Sequence, residues 1–315
     1  GSITTAPLEI TKTLTGADLG DGDYSFTISI VSAEPQDGVA LPEQRTVSND
    51  ADGKVQFGDI TFSKPGTYVI AVSENIPGGA TNPEVTDDDG NPITYENASD
   101  EQKAMVGWTL DGVTYDTHTI QSTFTVTDNN GTLTVVRSGT TGNQAFTNTY
   151  GATGSLSGAD NLKVTKVIDG RSFQTGDSFT FTLTGGDEGT LQAIGNGTVV
   201  LPDNAGGLTI NYADGDDTNE KSAAFGDIIF TAAGSYTFNI TETVPDDAVN
   251  PNVNGGATTY ENATDEQKAM AGWTLAGVTY DNSPHQVMVS VTDEGNGTLT
   301  AVVTGDTANP TVTNT

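Results

Sequence analysis

The sequence predicts an all-β protein made of two tandem β-sandwich domains, each interrupted by one short helix. Three observations predict it. A long segment returns almost unchanged further along the chain. Short segments of alternating apolar and polar residues recur between turn-forming clusters. Glycine (38 of 315 residues) and threonine are abundant while long apolar runs are absent, which suits many strands and turns and excludes a membrane-spanning helix in this sequence.

The repeat is clearest in Thr94-Tyr-Glu-Asn-Ala-Ser-Asp-Glu-Gln-Lys-Ala-Met-Val-Gly-Trp-Thr-Leu-Asp-Gly-Val-Thr-Tyr-Asp116. It comes back at Thr259 to Asp281 with only three positions changed. Such self-similarity marks tandem modules. Weaker matches extend it: Phe57–Phe62 with Phe225–Phe230, Tyr68–Glu74 with Tyr236–Glu242, and Phe146–Thr149 with Val312–Thr315. The expected domains are 1–150 and 161–315, with the small, polar, Gly-rich stretch 151–160 read as a linker region at the start of the second module.

Within a copy, the opening strand is Leu8 to Gly16, repeated from Leu162 to Gly170. Tyr24–Ile30 and Phe179–Leu183 are plain period-two strands. Ser99 and Gln102, like Thr264 and Gln267, have the spacing of a capping box, with Gly107 or Gly272 as the stop. Ala104, Met105 and Trp108 are expected to lie against the sandwich. Asn130-Gly131 and Asn296-Gly297 read as hairpin turns. Many short strands at this spacing indicate an immunoglobulin-like sandwich.

Composition narrows the function classes. A formal charge of −31 argues against nucleic-acid partners and anionic lipid surfaces. With no cysteine there is no disulfide, thiol nucleophile or zinc-thiolate site. Gly1-Ser2 reads as a cloning remnant and no signal peptide is visible, so a piece of a longer protein is expected.

The repeat acts as a control within one chain. Of eight lysines, two pairs recur in register: Lys103 with Lys268, on the polar helix, and Lys12 with Lys166. Lys12 shares a strand face with Leu8 and Ile10, and Lys166 with Leu162 and Val164. An ammonium aimed into an apolar interior costs several kcal/mol unless it is neutralised, paired or chemically consumed. Glu74 and Glu242 fall on the same face as the apolar residues of their strands, and each copy closes on an aligned Asn148 or Asn314. A desolvated lysine gives up its proton and becomes a nucleophile, while a buried glutamate keeps one. The glutamate is expected to hydrogen-bond the Asn carboxamide oxygen and to carry protons to departing ammonia. The product would be a Lys–Asn isopeptide bond, Lys12 to Asn148 and Lys166 to Asn314.

These segments resemble the isopeptide-bonded domains of Gram-positive pilins and surface adhesins, the streptococcal-pilin-type linkage domain, over nearly the whole chain. The resemblance is carried by Leu8-Glu-Ile-Thr-Lys12 and Leu162-Lys-Val-Thr-Lys166, by Gly66–Glu74 and Gly234–Glu242, by Gly112–Asp116 and Gly277–Asp281, and by Phe146-Thr-Asn148 and Val312-Thr-Asn314. It implies CnaB-type sandwiches whose first and last strands lie side by side, with Glu74 and Glu242 as the catalytic acids. Asp116 and Asp281 remain alternatives for that role. It also implies an extracellular, cell-wall-anchored stalk whose partners are neighbouring domains of a longer surface protein, without a cofactor. The helical insertion around Trp108 and Trp273 departs from the family pattern.

Two other classes compete. Trp108 and Trp273 as stacking platforms would make a glycan- or protein-binding module with a host ligand. A conventional enzyme has little support, since His118 and His285 do not fall at equivalent repeat positions and no Ser-His constellation recurs. The acidic loops at Asp87 and Asp214 lack the ligand spacing of a calcium loop, so no metal site is expected.

Overall fold

The computed structural model describes residues 1–5, 8–141, 144–253 and 258–315. The chain forms two compact units, Gly1–Gly151 and Ala152–Thr315. Each is an all-β sandwich of the immunoglobulin-like kind. In the first unit a five-stranded sheet runs in the order Thr132–Thr141, Thr119–Asn129, Gly66–Glu74, Ser25–Glu34, Thr46–Ser48. A seven-stranded sheet carries the opening strand Glu9–Thr15 between Lys54–Gln56 and the closing strand Ala145–Tyr150. The opening and closing strands are parallel neighbours, with Phe146 opposite Lys12 and Asn148 opposite Leu14. The second unit repeats this with Lys163–Ile168 and Thr311–Asn314, where Val312 stands opposite Lys166.

Period-two alternation places the core. Ile10 and Lys12 are the buried residues of their strand, and in the second unit Val164, Lys166 and Ile168 are. Tyr68, Ile70, Val72 and Glu74 point inward from the partner sheet. The Phe26 and Phe146 rings meet across the two sheets at 5.2 Å. The turn after Asn49 must come close to the opening strand, because the Lys12 amide donates to the Gly53 carbonyl at 2.6 Å. Gly53 has φ +82°, and a Cβ there would lie 2.1 Å from the Lys12 carbonyl oxygen, so only glycine fits.

The capping boxes form as expected, Ser99 with Gln102 and Thr264 with Gln267, on single helical turns Asp100–Lys103 and Asp265–Lys268. Trp108 packs in a separate satellite cluster with Ile76, Ala80, Val85 and Ala98, whereas Ala104 and Met105 are exposed rather than laid against the sandwich. Four residues make too short a helix to present a continuous apolar face.

The start of the second module gains detail, and two further expectations are corrected. Gly154–Leu156, inside the stretch read as a linker, pairs with Ile228–Phe230, just as Ile3–Thr4 pairs with Thr61–Phe62. The stretch is therefore the first structural piece of the second unit. That unit also carries more than one helix: Gly158–Asn161 is capped by Ser157, and Glu188–Gly195 is capped by Asp187, whose carboxylate accepts from the Thr190 amide. At the first hairpin Asn130 and Gly131 both take positive φ, 55° and 86°, as a type I′ turn requires. At the second only the glycines, Gly295 and Gly297, do so, and the strands His285–Asp293 and Leu299–Thr304 are joined by a longer loop.

Candidate functional site

Lys12, Glu74 and Asn148 converge from three strands on one buried point between the two sheets. The Lys12 and Glu74 side chains have no solvent exposure, and Asn148 has none as a residue. The Lys12 Nζ donates to Glu74 Oε2 at 2.8 Å, and Asn148 Nδ2 donates to Glu74 Oε1 at 2.6 Å. In the second unit Lys166 Nζ lies 3.1 Å from Glu242 Oε2 and 3.0 Å from Oε1, and Asn314 Nδ2 donates to Glu242 Oε1 at 3.0 Å. One carboxyl thus bridges the amine and the carboxamide in each copy. Neither lysine reaches out to the sheet edge.

The carboxamide orientation follows from the chemistry of its partners. Asn148 Oδ1 accepts from the Asp116 main-chain amide at 2.9 Å, and Asn314 Oδ1 from the Asp281 amide at 3.0 Å. A backbone N–H can only donate, so the atom facing it must be the oxygen. That leaves the NH₂ group facing the glutamate. The sequence predicts a glutamate that polarises the carboxamide oxygen; in the structure the Asp amide holds that oxygen, and the glutamate holds the nitrogen that would leave.

Burial sets the electrostatics. Desolvation pushes Lys12 and Lys166 below the ordinary lysine range, against the opposing pull of the neighbouring glutamates. Desolvation likewise pushes Glu74 and Glu242 above the ordinary glutamate range. Both shifts favour the same redistribution, a neutral amine beside a protonated acid. An aromatic ring covers each lysine: Tyr24 lies 4.5 Å from Lys12 Nζ and Phe179 lies 4.8 Å from Lys166 Nζ. Burial drives the Tyr24 hydroxyl up to about 12, so it stays protonated. Since the other copy has phenylalanine there, the two sites share the ring and not the hydroxyl.

The alternative acids sit differently. The Asp116 carboxylate accepts from the Thr147 amide at 2.8 Å and faces His118 Nδ1 at 2.5 Å. Asp281 accepts from the Ser283 amide at 3.0 Å and faces His285 Nε2 at 3.2 Å. Burial raises both carboxyls, but these hydrogen bonds outweigh it and hold them below the usual range. Glutamate, and not aspartate, carboxyls contact the amine and the carboxamide. Trp108 and Trp273 are fully buried, which removes them as stacking platforms for a glycan.

Residues 8–151 and again 162–315 match the FctA family, described as the Spy0128-like isopeptide containing domain. The chain belongs to that family. Among solved structures it is similar to the T-13 major pilin protein of Streptococcus pyogenes, at 16% identity over 100% of this chain and 99% of that one, with TM-score 0.28. A second S. pyogenes major pilin shares 15% identity over 98% of both chains, with TM-score 0.27. The major pilin subunit BcpA of Bacillus cereus shares 10% over 98% and 99%, with TM-score 0.19. No curated protein matches the chain.

Both FctA domains contain groups the sequence reading missed. The aspartate amide is a backbone donor and leaves no residue-type signature. The Asp–His contacts were hidden because the histidine follows at i+2 in one copy and i+4 in the other. The ring over the lysine could have been found, since Tyr24 and Phe179 each open a period-two strand that follows the reactive-lysine strand.

Proposed function

We propose that each FctA domain crosslinks itself once, joining Lys12 to Asn148 and Lys166 to Asn314. The observation that carries this reading is the single buried carboxyl bridging amine and carboxamide, present in both copies. A proton moves from the lysine to the glutamate, leaving a neutral Nζ. The Nζ lone pair attacks the Asn Cγ, and the charge that develops on Oδ1 is met by the aspartate amide. The C–Nδ2 bond then breaks, and the glutamate delivers a proton to the leaving nitrogen. The attacking Nζ passes its second proton to the freed carboxylate, so lysine ammonium, carboxylate and carboxamide become a secondary amide, ammonia and a protonated Glu74 or Glu242. Folding supplies the proximity that an intermolecular reaction lacks. The chemistry runs once per domain, so the chain is its own substrate and not a turnover enzyme.

The strand geometry supports a structural role. The opening and closing strands are parallel, so the chain enters at one end of the pair and leaves at the other. Tension applied at the two ends would shear them, and a bond from Lys12 to Asn148 would carry that load past the rest of the sheet. Together with family membership, this supports a stalk segment of an extracellular pilus or wall-anchored surface protein, whose partners are the neighbouring domains of the same fibre.

The test is Glu74→Ala. The first domain should fold yet keep its ammonia, while the second still loses one. If Glu74→Ala loses both, the carboxyl does not have this role.

A further inference from the structure

The mechanism needs the Asp116 and Asp281 amides to be aimed at the carboxamide oxygens before reaction, and each of these residues is gripped through its own side chain. Asp116 Oδ2 takes the Thr147 amide, one residue from Asn148 in the closing strand. Asp116 Oδ1 faces His118 Nδ1, and the His118 ring stacks on Phe146 with centroids 4.6 Å apart and planes at 28°. Phe146 itself stands opposite Lys12. In the second copy Asp281 Oδ2 faces His285 Nε2. The carboxylates are held ionised by these bonds, so each can only accept, and the ring nitrogen facing it carries the hydrogen. From the other side, the Tyr115 amide donates to the Trp108 carbonyl at 2.9 Å, as Tyr280 does to Trp273.

The same contact is reached by unlike routes. One histidine is two residues after its aspartate and uses Nδ1; the other is four residues after and uses Nε2. The 23-residue segment ending at each aspartate is nearly identical between copies, yet the sequence diverges immediately afterwards. A contact that persists while its sequence spacing changes points to the contact itself as what both copies require.

Resting on the self-crosslinking reading above, we infer that His118 and His285 are positioning residues: each clamps its aspartate carboxylate so that the main-chain N–H is fixed on the Asn carboxamide oxygen when the lysine attacks. A fixed donor meets the developing oxyanion without reorganisation, whereas a drifting one must be re-aimed at each attempt.

The experiment is cell-free synthesis of the full chain, quenched in acidic denaturant at intervals and weighed intact, with proteolytic peptides assigning each lost ammonia to a domain. His118→Ala should slow bond formation in the first domain by about tenfold or more and leave the second at its own rate. The rescue is atom-specific. His118→Asn, whose amide N–H falls near Nδ1, should restore the rate, and His118→Gln should not. At His285, where Nε2 makes the contact, Gln should restore it and Asn should not. A Glu74→Ala/His118→Ala chain should melt where Glu74→Ala does, which separates slow chemistry from poor folding. Equal rates for His118→Ala and the parent overturn the inference, as does a slow rate that neither isostere restores together with a lowered melting temperature. A parent chain that never loses ammonia overturns the crosslinking reading instead, so the two failures are distinct.

Discussion

At the scale of single residues, the site depends on keeping two ionisable groups dry together. Glu74 is raised by burial, and Lys12 is the group that offsets that cost. Replacing Lys12 with methionine removes the offset and raises Glu74 further. A group whose folded pKa lies above its unfolded value contributes stability that is full below the unfolded value and lost as pH rises through the folded one. Lys12→Met should therefore be destabilised toward alkaline pH. The control is Lys12→Met/Glu74→Gln, which also lacks the crosslink but has no charge to bury. The double variant should be more stable by about 2 kcal/mol near pH ~8, with the gap closing near pH ~4. Thermal melts at both pH values decide this; parallel pH responses in the two variants would mean that Glu74 is not a buried acid. The lysine, glutamate and asparagine were legible in the sequence because strand periodicity assigns each residue a face and the repeat removes coincidences. Backbone donors have no such signature, so the role of Asp116 as an amide rather than an acid emerged only with the fold.

At the scale of elements, the helical turn and its tryptophan form a small second core beside each sandwich. Tyr95 meets Trp108 edge-on at 5.0 Å, Lys103 lies over Tyr95, and Asn82 Nδ2 ties down the Val106 carbonyl. These contacts explain why Lys103 and Lys268 recur without belonging to the reactive site. Ser99→Ala removes the cap and should cost about 1 kcal/mol of local stability. Amide hydrogen exchange would read this as faster exchange at Gln102 with no change at Ile70 in the central sheet; equal loosening at both positions would contradict a satellite that opens by itself. The capping boxes could be read from the sequence because they are local, three residues apart. The short strand Gly154–Leu156 could not, since its identity depends on pairing with Ile228–Phe230 more than seventy residues away, and its Gly- and Ser-rich composition resembles a tether.

At the scale of the whole molecule, each crosslink would close a loop containing most of a domain. By the chain-entropy argument developed for disulfides, such a closure stabilises by about 5 kcal/mol, comparable to the whole net stability of roughly 5–15 kcal/mol of an ordinary domain. The kinetic effect would be greater under load, because parallel end strands joined by a covalent bond could not slide apart. A chain with no cysteine would thereby gain a covalent staple that reducing conditions do not open. Two-domain organisation and sandwich architecture were legible from the repeat and the strand period; the added helix Glu188–Gly195 in one copy was not, because the repeat holds no counterpart to align it with. All of this rests on one proposed chemical event per domain, which would change the mass of the chain. Intact mass spectrometry of the purified, denatured protein measures it directly: the account predicts a chain lighter than its sequence by two molecules of ammonia, and a chain at its full sequence mass would contradict it.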